Sequence, residues 1–360
     1  MKKSGSYIFS ADVIRTLAIF GVVAIHTANS VYERPDFFGG ISWWLAIIID
    51  SVSRICIPLF IMISGFLLLK KNEKFSITFK RIVNRLLIPL VFWTALIYVT
   101  SNLKTAYTVF SLDFLLRFFS GNVYYFYFLT ILIGLYFISP LLSSYLRHEN
   151  LERIKKMVVF FILAGLAETA TEYLVKNCAI ENSFTKWVPY TGIFLFGYLI
   201  GTAKWKIKSS KLIKWGYLLG FAATVILNYI YYSYGSIKVL RTLPSGCLSQ
   251  YSDYYLSLNV VLMSLTAFVF LVNFDYKSIK NTIWEKIIYA VARASFGIYL
   301  VNLFVVNFWD KWLHLDVDSI RVPLWTYVIV KLVSVFVLSF LLTILLKKIP
   351  IIKKVMGEDK

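Results

Sequence analysis

The chain has 360 residues, 59% of them hydrophobic, with 38 Lys/Arg against 19 Asp/Glu and a formal charge of +19. Its mean hydropathy is +0.70. A soluble domain holds about 45–50% apolar residues, so these values exclude an ordinary soluble protein and indicate a chain embedded in a bilayer. The basic excess does not indicate nucleic acid, because the lysines cluster in short segments between apolar runs, as in the cytoplasmic loops of membrane proteins.

The first apolar segment, residues 11–31, is long enough to cross a bilayer yet carries Asp12, Arg15 and His26. Ionisable groups at membrane depth are costly and are kept for function or for pairing inside a bundle. Arg15 and His26 are eleven positions apart, about 16 Å along a helix. Eleven steps of about 100° return to nearly the same azimuth, so both side chains leave one face at different depths. Asp12 lies one turn before Arg15 on that face, within pairing distance. The segment is not read as a cleavable signal peptide, since it contains Arg15 and further spans follow it.

Segments near the ~20 residues needed to cross a bilayer recur at about 11–31, 41–69, 86–103, 123–146, 157–175, 189–203, 215–233, 254–273, 287–308 and 323–346. The expected fold is therefore an all-α integral membrane bundle of about ten transmembrane helices, forming one membrane domain over residues 1–360. With the N-terminus inside, 25 of the 38 Lys/Arg fall in the cytoplasmic segments and 9 in the opposite ones. That bias predicts both termini in the cytoplasm of a multi-pass plasma-membrane protein. The second segment contains Pro58, where a kink or re-entrant section is expected. Tyr and Trp gather at segment ends, as in an interfacial aromatic belt. The Tyr-rich stretch 229–255 carries a second reading as part of a site for sugar rings.

Further polar groups follow in order. Asp50 and Arg54 stand at i,i+4, the spacing of an intrahelical salt bridge. Arg81 and Arg85 lie one turn apart at the foot of the third span, where guanidinium forks suit phosphate oxygens; topology and anionic lipids ask for the same residues. Glu168 and Glu172 share a face without a partner in their own helix. Asn302 is as far into its span as His26 is into its own, and Arg293 and Lys331 are further intramembrane charges. Cys56, Cys178 and Cys247 form neither a disulfide framework nor a metal motif. Cys178 and Cys247 are placed to meet on the outer side, although buried thiols are the simpler reading. There is no glycine-rich phosphate loop, zinc spacing or nucleophile elbow, so no metal and no permanently bound cofactor are expected.

These residues resemble a known family. Asp12, Arg15 and His26 are similar to the first-helix signature of the membrane acyltransferase-3 family. The likeness continues in SRICIPLFIMISGFLLL, FKRIVNRLLIP, FYFLTILIGLYFISPLL and SFGIYLVN. Within the family the chain looks most like stand-alone surface-polysaccharide O-acetyltransferases. The resemblance implies a membrane-bound O-acyltransferase that takes an acyl group, by prevalence acetyl, from cytoplasmic acyl-CoA to a hydroxyl of a cell-surface or lipid-linked glycan. His26 is then the catalytic base or transient nucleophile, and Arg15, Arg81, Arg85 and Arg54 contact the donor. Asp12, Asn302, Tyr299 and Glu168 support the reaction or face the acceptor. The chain departs from the family pattern at Asn302, where relatives often carry His, and at Tyr124, Tyr125 and Phe126. Two other readings remain open: a transporter or flippase using Glu168, Glu172, Arg54 and Lys331, and a non-catalytic subunit of a glycan-export assembly.

Overall fold

The computed structural model describes residues 8–71, 73–101, 126–174, 185–207, 209–236, 248–313, 315 and 323–357. Among these residues every regular element is helical and no strand occurs. That is the physical expectation for lipid, where backbone N–H and C=O groups must be satisfied within the segment. In chain order the α-helices are α1 Phe9–Tyr32, α2 Ile41–Ser53, α3 Cys56–Leu69, α4 Phe75–Ile82, α5 Ile88–Ser101, α6 Tyr127–His148 and α7 Leu151–Leu174. They continue with α8 Thr191–Gly201, α9 Ser210–Ser236, α10 Leu248–Asp253, α11 Leu258–Asn273, α12 Ile283–Asn307, α13 Leu324–Lys347 and α14 Pro350–Val355.

Among the described residues seven stretches are long and apolar enough to cross a membrane: Phe9–Tyr32, Ile41–Leu69, Tyr127–His148, Ser210–Ser233, Tyr251–Asn273, Ile283–Trp312 and Leu324–Lys347. The chain is a multi-pass membrane protein. These seven coincide with seven of the ten segments expected from sequence. The other three fall on α5, α7 and α8, which are helical but do not meet that standard of length and apolarity. Large apolar side chains such as Phe160, Leu163, Val333 and Leu341 are exposed, as they are on helices whose solvent is hydrocarbon rather than water.

Three prolines shape the helices. Pro58 has no N–H to give the carbonyl of Arg54, and the helix breaks between Ser53 and Cys56, one turn before it, where the sequence placed a kink. Pro89 likewise withdraws a bond from the carbonyl of Arg85, and the ladder ahead of it widens to a π-turn over Val83–Leu87, with Ile88 N–H reaching back to Val83. Inside α6, Pro140 frees the carbonyl of Tyr136, and the Ser139 hydroxyl donates to that oxygen at 2.7 Å. A second π-turn, Phe308–Trp312, extends α12.

The chain divides into two compact units, Met1–Ile63 with Lys206–Thr343, and Ser64–Trp205 with Ile344–Lys360. The first unit is organised on α1. At its N-terminal end Phe9 packs edge-on to Tyr276, which precedes α12, with ring centroids 5.3 Å apart. One to two turns on, the Thr16 hydroxyl donates to the carbonyl of Ile288 in α12 at 3.1 Å. At the far end Tyr32, Trp43, Ile47, Tyr327 and Val328 form a buried cluster, and Trp43 Nε1 donates to the Tyr32 carbonyl at 3.1 Å. Helices α1 and α12 therefore run in the same direction. Gly21 lets α1 lie against the α2–α3 break: a Cβ there would stand 3.0 Å from Cys56 Cβ and 3.2 Å from the Ser53 carbonyl oxygen.

The second unit holds α4 to α8 and α14. Helices α3 and α8 approach closely there: a Cβ on Gly65 would come within 1.9 Å of the Phe194 carbonyl oxygen. Small residues set such contacts in membranes, because helices gain nothing there from leaving water and rely on close packing. Gly65→Ala is expected to lower stability by about 1–3 kcal/mol through overpacking against backbone that cannot give way. Thermal unfolding in detergent measures this, and an unchanged transition would contradict the packing.

Candidate functional site

The stripe expected on α1 is present. Arg15 Nη1 stands 3.4 Å from Asp12 Oδ1, with the aspartate side chain 10% exposed and the arginine 37% exposed. The pair neutralises the buried carboxylate and leaves part of the guanidinium accessible. His26 follows three turns later on the same face, half-buried, and among the described residues it makes no hydrogen bond. A histidine kept for structure is expected to spend its ring nitrogens on neighbouring helices. This one spends neither on any described residue.

Arg54 is the charged group that acts electrostatically on His26. Its guanidinium fills a buried ionic centre. Nε and Nη2 donate to the two Asp50 oxygens, each at 2.8 Å. Nη2 also meets Asp253 Oδ2 at 3.1 Å and the Tyr32 hydroxyl at 3.1 Å, while Nη1 donates to the Asp253 carbonyl at 3.1 Å. The Asp50–Arg54 spacing thus gives the intrahelical salt bridge read from sequence, extended by a second carboxylate from α10. Asp253 is itself held by Asn228 Nδ2 at 2.7 Å. The Nε and Nη2 donors of Arg54 are thus already committed to carboxylates, and a donor phosphate would compete with them for the guanidinium.

Asn302 lies buried in α12 and donates from Nδ2 to the carbonyls of Ile298 and Tyr299, at 3.1 and 2.6 Å. Its Oδ1 is buried without a partner among the described residues. What Asn302 offers is an acceptor, and an oxyanion needs a donor, so of the two α12 residues Tyr299 is the one that carries a suitable hydroxyl. Counted from the Thr16–Ile288 contact, His26 is ten residues along α1 and Asn302 fourteen along α12, about 15 and 21 Å. Asn302 lies roughly a turn beyond the imidazole rather than level with it. Lys331, 0% exposed at its side chain, is paired with Asp310 at 2.7 Å and touches the Ser30 hydroxyl at 3.3 Å.

Arg81, Arg85 and Glu168 belong to the second unit. Arg81 forks onto Glu73, with Nη2 2.9 Å from Oε1 and Nη1 bonded to Oε2. The hydrogen bond from Arg81 holds the Glu73 carboxyl below its ordinary range. Arg85 sits in the π-turn and is exposed, and Glu168 is exposed on α7. Cys56 is a free, buried thiol. Cys178, Cys247, Tyr124 and Tyr125 lie outside the described residues, as does part of the 229–255 stretch. Among the described residues no cluster of His, Cys, Asp and Glu could hold a metal ion.

Several polar residues of the two units have no role in the sequence reading. Asn29 and Glu33 continue the α1 stripe at three and seven residues past His26, a periodic signal that was present. Glu73 and Asp253 carry none, being joined to Arg81 and Arg54 only by the fold.

Comparison with known proteins bears on this arrangement. No curated protein and no solved structure matches the chain. A family model described as an acyltransferase domain matches residues 8–344, nearly the whole sequence, including Asp12, Arg15, His26, Arg54 and the α12 residues. The chain therefore belongs to the acyltransferase-3 family, membrane proteins whose chemistry is acyl transfer.

Proposed function

We propose that the protein moves an acyl group, acetyl by default, from cytoplasmic acyl-CoA to a hydroxyl of a cell-surface or lipid-linked glycan, with both termini in the cytoplasm of the plasma membrane. The observation that carries this reading is His26: a half-buried imidazole at membrane depth, without a hydrogen bond among the described residues, on one face with an accessible Arg15. The three-turn spacing is comparable to the reach of an extended pantetheine arm. Arg15 in the first unit is proposed as a contact for the nucleotide phosphates, where charge-assisted bonds are strongest; Arg81 and Arg85 are a separate phosphate-binding candidate within the second unit. Arg54, enclosed by carboxylates, contributes its charge beside His26 instead.

Two routes use the same imidazole. In one, His26 takes the proton of the acceptor hydroxyl while that oxygen attacks the thioester carbonyl; the C–S bond breaks and coenzyme A leaves as thiol. In the other, an imidazole nitrogen accepts the acyl group with release of coenzyme A, and the acceptor hydroxyl then takes it from nitrogen. In both, the Tyr299 hydroxyl is the proposed donor to the tetrahedral oxyanion. The transporter reading rests on Glu168, Glu172, Arg54 and Lys331; of these the two cations are engaged by carboxylates, which weakens that part of its basis.

Titration of the purified protein with acetyl-CoA tests the reading, since a plain transporter has no reason to bind it. Saturable binding is expected. It is expected to tighten about fivefold or more in Glu73→Gln, because a carboxylate competing for the Arg81 fork is removed. Absence of binding by folded protein would contradict the donor assignment.

A further inference from the structure

Resting on that reading, the α1 stripe beyond His26 points to the acceptor. Asn29 and Glu33 stand three and seven residues past His26, which returns both to its face of the helix. The two side chains share a hydrogen bond from the Asn29 amide to the Glu33 carboxylate. Asn29 Oδ1 is left buried with no partner among the described residues. Buried amide oxygens are nearly always satisfied, so an orphan of this kind next to a half-buried imidazole calls for a ligand. The aromatic edge of the same neighbourhood is Tyr32 against Tyr232, with centroids 5.8 Å apart. Burial raises the Glu33 carboxyl above its ordinary value, and Arg54 and Asp253 both act on it.

We propose that Asn29 and Glu33 bind the acceptor: Asn29 Oδ1 and the Glu33 carboxylate receive hydrogen bonds from hydroxyls of a neutral polyhydroxylated ring and so direct one further hydroxyl at His26. A sugar hydroxyl is both donor and acceptor, and the groups waiting here are acceptors. The charge balance argues for a neutral ring. Asp50, Asp253 and Glu33 outnumber the single Arg54 among the groups that act on one another here, so an anionic saccharide would be repelled.

The test separates acceptor binding from the chemistry that precedes it. Radiolabelled acetyl-CoA is given to wild type, Asn29→Ala and Glu33→Gln in membranes carrying the native glycan, and label is measured both in glycan and in free acetate, for which water is the acceptor. Label in glycan is expected to fall about tenfold or more in either variant, the loss of one hydrogen bond to a charged or buried group. Acetate formation is expected to stay within about twofold of wild type, since donor binding and His26 are untouched. A parallel fall of both products, or no change in either, would overturn the assignment. Wild type that cleaves no acetyl-CoA would instead overturn the acyl-transfer reading, and this inference with it.

Discussion

His26→Ala is expected to abolish acyl transfer, with a loss of about a hundredfold to ten-thousandfold, the range a positioned general base supplies. The protein is expected to insert and fold as wild type does, because the imidazole makes no hydrogen bond among the described residues and its removal leaves no polar group stranded. Acetyl-CoA binding is also expected to survive, since the phosphate contacts are assigned to arginines elsewhere. The effect thus falls on turnover and not on donor affinity, a separation that a purely structural histidine does not give. Labelled acetate incorporated into the membrane glycan fraction, alongside the binding titration, reads both quantities. Transfer at the wild-type rate would remove His26 from the mechanism.

The second large effect is on stability. Arg54→Ala leaves Asp50, 0% exposed, and Asp253 facing each other with no cation between them. Removing one partner of a buried ion pair costs about 3–5 kcal/mol, because the remaining charge stays buried without compensation. Here two carboxylates and the Tyr32 hydroxyl lose their donor together, so the upper part of that range is expected. Arg54→Lys should recover only part of the loss, since a point charge cannot fork onto two Asp50 oxygens while reaching Asp253. Asp253→Asn should cost less than Arg54→Ala, because Asp50 still balances the guanidinium. Thermal unfolding in detergent ranks the three variants. If Arg54→Ala were as stable as wild type, the ionic centre would not hold α10 to α2.

Much of the first unit's polar layout was legible in sequence because helical periodicity acts along one element. The Asp12–Arg15–His26 stripe and the Asp50–Arg54 bridge are both local, and both stand where the spacing puts them. The break before Pro58 is equally local, following from one missing N–H. What lay beyond reach was long-range. Asp253 joins Arg54 across 199 residues, and Asp310 reaches Lys331 from a π-turn that no hydropathy pattern announces. Asn302 illustrates the limit of depth counting: equal distance into the two spans suggested equal depth, yet counted from the Thr16–Ile288 contact it lies roughly a turn beyond His26, and which of its amide atoms is left over depends on the neighbouring carbonyls. Of the ten expected spans, seven are long apolar helices among the described residues, while the sixth falls on the shorter apolar helix Val188–Gly201, a difference in length that composition alone does not announce.

The most direct measurement is release of coenzyme A from radiolabelled acetyl-CoA by the purified, detergent-solubilised protein, wild type beside His26→Ala. Histidine-dependent thioester cleavage, or label retained on the wild-type protein alone, is the expected result. Folded wild-type protein that neither binds nor cleaves acetyl-CoA would contradict the account and return the intramembrane charges to a transport role.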